Sequence, residues 1–450
     1  MTIKRSGALG AALALAGCGA AAVSSPAVPA TTSPTSAPVT TPIKHVVFVI
    51  QENRSFNNLF LGFPGATTQA YGYDANGRKI RLHAANLATM YDIGHSASDF
   101  FDACHGDGKL PGTHCRMDGW NAEQLIGEAP KNAPFAYVPR NQIEPYWTMA
   151  RQYVLSDRTF ASNLDGSFVA HQYTVAAYAS HAVDYPLTQW GCEGGKSDTV
   201  LTLTMRRGTG PRIPACFDNP TIASEADKAG VSWRFYASAI GQDGGSWSSY
   251  QAVRTIFRSA AWTADVISPQ TNFLRDVAHG KLAAVTWIAP TSSTSDHPGL
   301  YSSEGPAWVT SVVNAVGASR FWKSTAVFIM WDDWGGFFDP VPPVYEDYDG
   351  LGFRVPLIVI SPYAKHGSVT HVQYETASVL RFIEDNFGLA PLAASDLRAA
   401  DPADDPAVFD YAQAPRPFKK LADDKALNDW KHLDGTLPEI HPHWSTLGDD

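Results

Sequence analysis

Two unbroken apolar runs in this chain each end in acids. Residues 43–50 (IKHVVFVI) lead directly into Gln51-Glu52-Asn53-Arg54-Ser55-Phe56, and residues 325–330 (TAVFIM) lead into Trp331-Asp332-Asp333-Trp334-Gly335-Gly336. Val, Ile and Phe without polar alternation suit strands covered on both faces, as in parallel sheets. Open α/β sheets bind ligands in the crevice beyond the carboxyl ends of such strands. If the two strands are neighbours, Glu52, Asn53, Asp332 and Asp333 converge on one cleft. Carboxylates so clustered are costly unless protons or a cation neutralise them, and hard divalent cations prefer such oxygen ligands. The pattern points to a metal-assisted hydrolase.

The remaining chain alternates strand and helix signals. Residues 232–237 (SWRFYA), 283–288 (AAVTWI) and 356–360 (PLIVI) are predicted strands. Residues 145–154, 168–179, 306–318 and 375–387 carry helical patterns, the first with Pro in its opening turn and the last ending at Gly388. This alternation predicts an α/β fold, a three-layer sandwich around a mostly parallel sheet. The polar stretch after Phe60, to about Asn132, lacks periodicity and reads as a long loop insertion.

The ends read differently. Lys4 and Arg5, the apolar residues 9–15 and the Leu15-Ala16-Gly17-Cys18 ending form an export signal of residues 1–18 whose Cys18 is expected to carry a lipid. Residues 19–42, almost all Ala, Ser, Thr, Pro and Val, are expected to be a tether, because they bury too little to offset their ordering entropy. The catalytic domain is then residues 43–418, followed by a polar tail of residues 419–450. Together these assign the protein to a bacterial cell envelope, exported and held to the membrane through Cys18. A net charge of -10 argues against a general nucleic-acid binder, and no protein partner can be inferred. Cys104, Cys115, Cys192 and Cys216 remain after Cys18. An even count in an exported protein favours two disulfides with three connectivities, of which the local pairs Cys104 with Cys115 and Cys192 with Cys216 are preferred.

Hydrolysis of a phosphoester needs neutralised phosphoryl oxygens, a placed nucleophile and a proton for the leaving oxygen. A divalent metal held by Glu52, Asn53, Asp332 and Asp333 would supply the first. Calcium, magnesium and manganese suit oxygen ligands, and a participating His admits zinc or iron. Ser167, opening the helix after Asp165-Gly166, is the candidate nucleophile. His95, His297 and His371 are candidate proton donors or phosphate contacts. Against these stand ordinary readings: acids at strand ends cap helices, and a serine before a helical run is commonly an N-cap.

Several segments together resemble the bacterial phosphoesterase family that contains non-haemolytic phospholipases C and an acid phosphatase. They are HVVFVIQENRSFNNLF, DIGHS with MDGW, DGSFVAHQY, VTWIAP with SDHP, WDDWGGFFD and FRVPLIVISPYAKHG, in the family's order. The resemblance implies an alkaline-phosphatase-like fold and hydrolysis of a phosphomonoester or a phospholipid. It matches Glu52 and Asn53 to a first pair of metal ligands, Asp332 and Asp333 to a second, Ser167 to the nucleophile, and His95 and His297 to histidines near the phosphate. His371 aligns more loosely. Many relatives have Asn-Arg where this chain has Ala170-His171, and His where it has Pro340. The first change removes an expected contact to the lipid phosphate or head group. Sulfate-ester hydrolysis is a competing reading, opposed by the absence of the usual nucleophile segment with Pro-x-Arg. A surface-anchored binding protein on a degenerate hydrolase scaffold is another, opposed by the retained ligand types.

Overall fold

The computed structural model describes residues 41–187, 190–422 and 424–433. The signal and lipid-bearing cysteine expected in residues 1–18, nearly all of the tether, and the end of the tail lie outside the described residues. Among those described, no helix is long and apolar enough to cross a membrane.

An eight-stranded sheet organises the chain. In sequence order its strands are β1 (His45–Gln51), β2 (Val154–Ser156), β3 (Trp233–Tyr236), β4 (Val266–Ile267), β5 (Val285–Ile288), β6 (Thr325–Trp331), β7 (Leu357–Ile360) and β8 (Ser368–Thr370). Across the sheet they run β4-β3-β5-β1-β6-β7-β2-β8. The strands from β4 to β6 are mutually parallel, whereas β7 is antiparallel to both β6 and β2. That reversal departs from a simple alternating βα reading and has a direct cause. No crossover helix lies between Trp331 and Leu357, so the chain re-enters the sheet from the end at which it left.

The main helices are α1 (Phe56–Phe60), α2 (Ala97–Cys104), α3 (Glu144–Gln152), α4 (Ser167–Ala176), α5 (Gly305–Gly317) and α6 (Thr376–Phe387). They cover both faces. Phe328 and Trp331 on β6 have opposite parity and therefore point to opposite sides. Phe328 meets Phe382 of α6 with ring centroids 4.9 Å apart, whereas Trp331 meets Tyr146 of α3 at 4.9 Å. Trp287, level with Phe328 through Phe48, donates to the Thr174 carbonyl of α4 at 2.9 Å, which places α4 on the α6 side. The result is a three-layer sandwich, and the inner strands are correspondingly dry: Val46, Val47, Val49, Val327 and Ile329 are all fully buried.

The polar insertion after α1 is more ordered than its composition suggests. It holds α2, capped by a Ser96–Asp99 capping box, and a short antiparallel pair between residues 91–93 and 125–127. The structure pairs Cys104 with Cys115 and Cys192 with Cys216, the local connectivity.

The tail boundary at 418 does not correspond to a change in packing. Asn314 on α5 exchanges two hydrogen bonds with the Leu421 backbone, at 3.0 and 2.9 Å. Trp430 is fully buried against Trp308, with centroids 5.4 Å apart, and donates to Ser311 Oγ at 3.0 Å. Its polar neighbours hid this anchor from a compositional reading. Trp430→Ala is expected to lower the unfolding free energy by about 3–5 kcal/mol in a denaturant titration. A change below about 0.5 kcal/mol would mean that the segment is not part of the core.

Candidate functional site

The in-register parallel pairing of β1 with β6 creates the site. Gln51 is paired with Trp331, and the Asp332 N–H donates to the Gln51 carbonyl at 2.9 Å. The next residues on the two strands are Glu52 and Asp332, so both acids leave the sheet at the same level. The Asn53 N–H then donates to Asp332 Oδ1 at 3.1 Å, locking the two dyads together.

Two backbone features permit that closeness. Asn53 has φ of 50°, the left-handed region that asparagine tolerates better than most residues. Gly335 and Gly336 have φ of 60° and 70°, and a Cβ on Gly335 would lie 2.1 Å from the Asn53 carbonyl oxygen. A side chain at Gly335 would force the Asp332-Asp333 turn away from β1.

Ser167 is the first residue of α4, and its Oγ sits inside the same cluster. It accepts from Asn53 Nδ2 at 3.0 Å and lies 3.3 Å from Glu52 Oε2 and 3.4 Å from Asp333 Oδ2. Asn53 Nδ2 also contacts Asp333 Oδ2 at 2.8 Å and His95 Nε2 at 3.0 Å. His95 Nδ1 donates to the Ile93 carbonyl at 2.7 Å, which turns Nε2 toward Asn53. His297 is held in the same manner, its Nδ1 at 2.6 Å from the Pro298 carbonyl, and its ring lies 5.8 Å from His95 and stacks on Trp247 at 5.9 Å. The structure thus brings Glu52, Asn53, Asp332, Asp333, Ser167, His95 and His297 into one buried cluster.

His371 is not part of that set of contacts. Its side chain is 59% exposed and bonds through Nδ1 to Asp157 Oδ1 at 2.8 Å, beyond β2. Pro340, where many relatives have His, follows an aspartate already committed elsewhere. Asp339 takes both Arg354 Nε at 2.7 Å and Nη2 at 3.0 Å, and both partners are fully buried.

His171 was not among the sequence candidates, yet it belongs to the cluster. One helical turn after Ser167, it shares that residue's face of α4. Its Nε2 lies 2.8 Å from Glu52 Oε1 and 3.8 Å from Asp332 Oδ2. Burial depresses its pKa to about 4, against the opposing pull of the Asp332 charge, so the ring is neutral at ordinary pH. The spacing of four from Ser167 was the available signal.

These residues fit a divalent cation. One atom each from Glu52, His171 and Asp332 lies within 4.8 Å of the others, and all three residues are buried. Asp332 Oδ2 and Asn53 Oδ1 are buried oxygens without a hydrogen-bond partner. Three carboxyl groups and an imidazole crowded into a dry site are a donor set that suits a divalent cation. At least one of Mn²⁺, Mg²⁺, Ca²⁺ and Zn²⁺ is therefore expected to bind the purified protein in titration calorimetry. Asp332→Asn and His171→Ala should each weaken it by at least about tenfold; affinities unchanged in both variants would remove the site.

Comparison with known proteins gives the chain its family. Residues 43–390 match the model of the Phosphoesterase family. Phospholipase C B of Mycobacterium tuberculosis is 24% identical over 456 residues, spanning 88% of this chain and 83% of its own. Non-hemolytic phospholipase C of Burkholderia pseudomallei is 24% identical over 77% of this chain and 55% of its own. Non-specific phospholipase C1 of Arabidopsis thaliana is 25% identical over 77% and 67%. Among solved structures, a protein in the alkaline phosphatase superfamily from Vibrio parahaemolyticus aligns over 78% of this chain and 67% of its own, with 10% identity and a TM-score of 0.36. The family match extends from β1 through the whole sheet to the end of α6, and on that extent the chain belongs to the Phosphoesterase family and is a phosphoric ester hydrolase.

Proposed function

We propose that the protein is a metal-dependent phosphoester hydrolase that uses Ser167 as its nucleophile and acts on the glycerol–phosphate ester of a phospholipid. The observation that carries this reading is the Ser167 hydroxyl lying 3.3 Å from Glu52 Oε2 and 3.4 Å from Asp333 Oδ2 at the amino end of α4. The phospholipid class is supported by the relatives, which are phospholipases C.

Glu52 and Asp333 are placed to take the Ser167 proton as Oγ attacks phosphorus, and Asn53 Nδ2 orients the oxygen for that approach. The positive end of the α4 dipole favours the phosphoryl group beside it. Expulsion of the diacylglycerol, protonated as it leaves, keeps the head-group phosphoryl ester on Ser167, and water then releases it as a phosphomonoester. His95 and His297, each oriented through Nδ1 by a backbone carbonyl, would contact the phosphate or protonate the leaving oxygen from Nε2 when that nitrogen also carries a proton, as the imidazolium. Glu52, His171 and Asp332, with the unbonded Asn53 Oδ1, would hold the cation, which when bound offsets phosphoryl charge and favours the serine alkoxide. His171 serves this role as a neutral ring, a different contribution from the lost lipid contact expected at its position. His371, exposed beside Asp157, has no step assigned to it.

Hydrolysis of p-nitrophenyl phosphorylcholine by the metal-supplied protein should exceed that of p-nitrophenyl phosphate. Ser167→Ala and Asp332→Ala should each lower kcat by on the order of 10³-fold or more. Activity within about twofold of the unaltered protein in both variants would exclude this site.

The same reading includes export and lipid anchoring at Cys18. Two disulfides favour an oxidising compartment. Mass spectrometry of the mature protein should find a diacylglyceryl adduct on an amino-terminal Cys18; a mature terminus beyond Cys18 would contradict anchoring.

A further inference from the structure

Behind α4, on the side away from Ser167, lies a cavity of about 520 Å³. Its walls come from the carboxyl end of α4 and the chain after it (Tyr173, Tyr178, His181), the 347–349 loop and residues 392–395. Tyr173 lies two residues beyond His171, roughly 200° around the helix, so one helix presents the catalytic cluster on one face and this cavity on the other.

The walls combine aromatic rings with carboxylates. His181 stacks on Tyr348 with centroids 4.5 Å apart, and Tyr178 meets the same imidazole edge-on at 5.0 Å. His181 Nδ1 lies 2.5 Å from Asp349 Oδ2 and its Nε2 lies 2.6 Å from the Tyr348 hydroxyl, so the ring is fixed between a carboxylate and a phenol on the cavity wall. Asp347 and Glu375 share Arg398, Asp218 pairs with Arg254 at 2.8 Å, and Arg207 is spent on the backbone carbonyls of Asp347, Tyr348 and Gly350. Asp218, Asp347 and Asp349 thus stand on the cavity wall, and no guanidinium group lines it among the described residues.

A second feature points to a ligand. Tyr173 lines the cavity, is only 3% exposed, and its hydroxyl makes no hydrogen bond among the described residues. Burial and the nearby Asp349 and Asp347 charges keep that hydroxyl protonated, hence a ready donor or acceptor. An inorganic cation would satisfy the charge but not the rings. A cation with an apolar surface satisfies both, because aromatic faces attract alkylammonium groups and carboxylates complete the neutralisation.

We infer that the Tyr173–Tyr178–Tyr348 cavity, with Asp347 and Asp349, is a binding site for a small organic cation bearing an alkylammonium group, separate from the catalytic cluster. Its hydroxyl-bearing wall at Tyr173 suits a ligand that also carries a polar oxygen.

Choline chloride and its uncharged isostere 3,3-dimethylbutan-1-ol, titrated into the full chain by calorimetry at constant ionic strength, form the test. Choline is expected to saturate with one site and to bind at least tenfold more tightly than the alcohol. Asp349→Asn and Tyr178→Ala, checked for folding by circular dichroism, should each weaken choline at least tenfold, while Ser167→Ala should stay within twofold. Equal binding of the two ligands, or no saturable binding of choline, would overturn the assignment. So would choline binding that survives in Tyr178→Ala and Asp349→Asn.

Discussion

Everything in this molecule turns on how three carboxylates come to be buried together. Glu52, Asp332 and Asp333 are each no more than 1% exposed and lie within one set of contacts with Asn53, Ser167 and His171. Carboxylates crowded together at that depth disfavour one another's charged forms. The fold accepts this because β1 and β6 pair in register along their whole length, and the residue that follows each strand is an acid. The hydrophobic strands beneath are what hold the acids in place. A one-residue slip in pairing would offset the two dyads, and the dry Val, Ile and Phe contacts on both faces of these strands resist such a slip.

From that constraint the rest of the site follows by short local steps. The glycines after Asp333 let the second dyad turn close to Asn53, and Asn53 accepts a left-handed backbone in the first. α4 begins opposite the pair and contributes two residues one turn apart, Ser167 and His171, to the same pocket. Arg54 braces the surrounding loops from behind, donating to the Asp296 and Leu87 carbonyls at 2.7 Å each and lying 4.6 Å from the Phe337 ring. Asp296 in turn takes Tyr146 at 2.8 Å and Trp331 at 3.0 Å, tying the His297 loop to β6 and α3.

The parts of this design that repeat a local rule were legible in the sequence. Apolar runs ending in Glu52-Asn53 and Asp332-Asp333 declared both strands and the acids that leave them, and Asp165-Gly166-Ser167 marked the start of α4. Other parts depended on tertiary packing and left no local trace. β2 is three residues long and follows α3 at once, so its helical neighbours masked it. The reversal of β7 is a property of the loop before it rather than of its own sequence. Trp430 reads as one aromatic in a polar tail until Trp308 is known to lie beneath it. His171 departs from the family pattern, and its contact with Glu52 has no local signature because it depends on α4 facing β1. His371 shows the converse: a histidine in a loop after a strand matches the expected type, yet its partner is Asp157.

The claim beneath all of this is that a single cation belongs between β1, β6 and α4. Diffraction from manganese-soaked crystals at the metal absorption edge tests it most directly. The expected result is one strong anomalous peak within coordination distance of Glu52, His171 and Asp332. A crystal with manganese bound only elsewhere, and ordered density with no peak among these three residues, would contradict it.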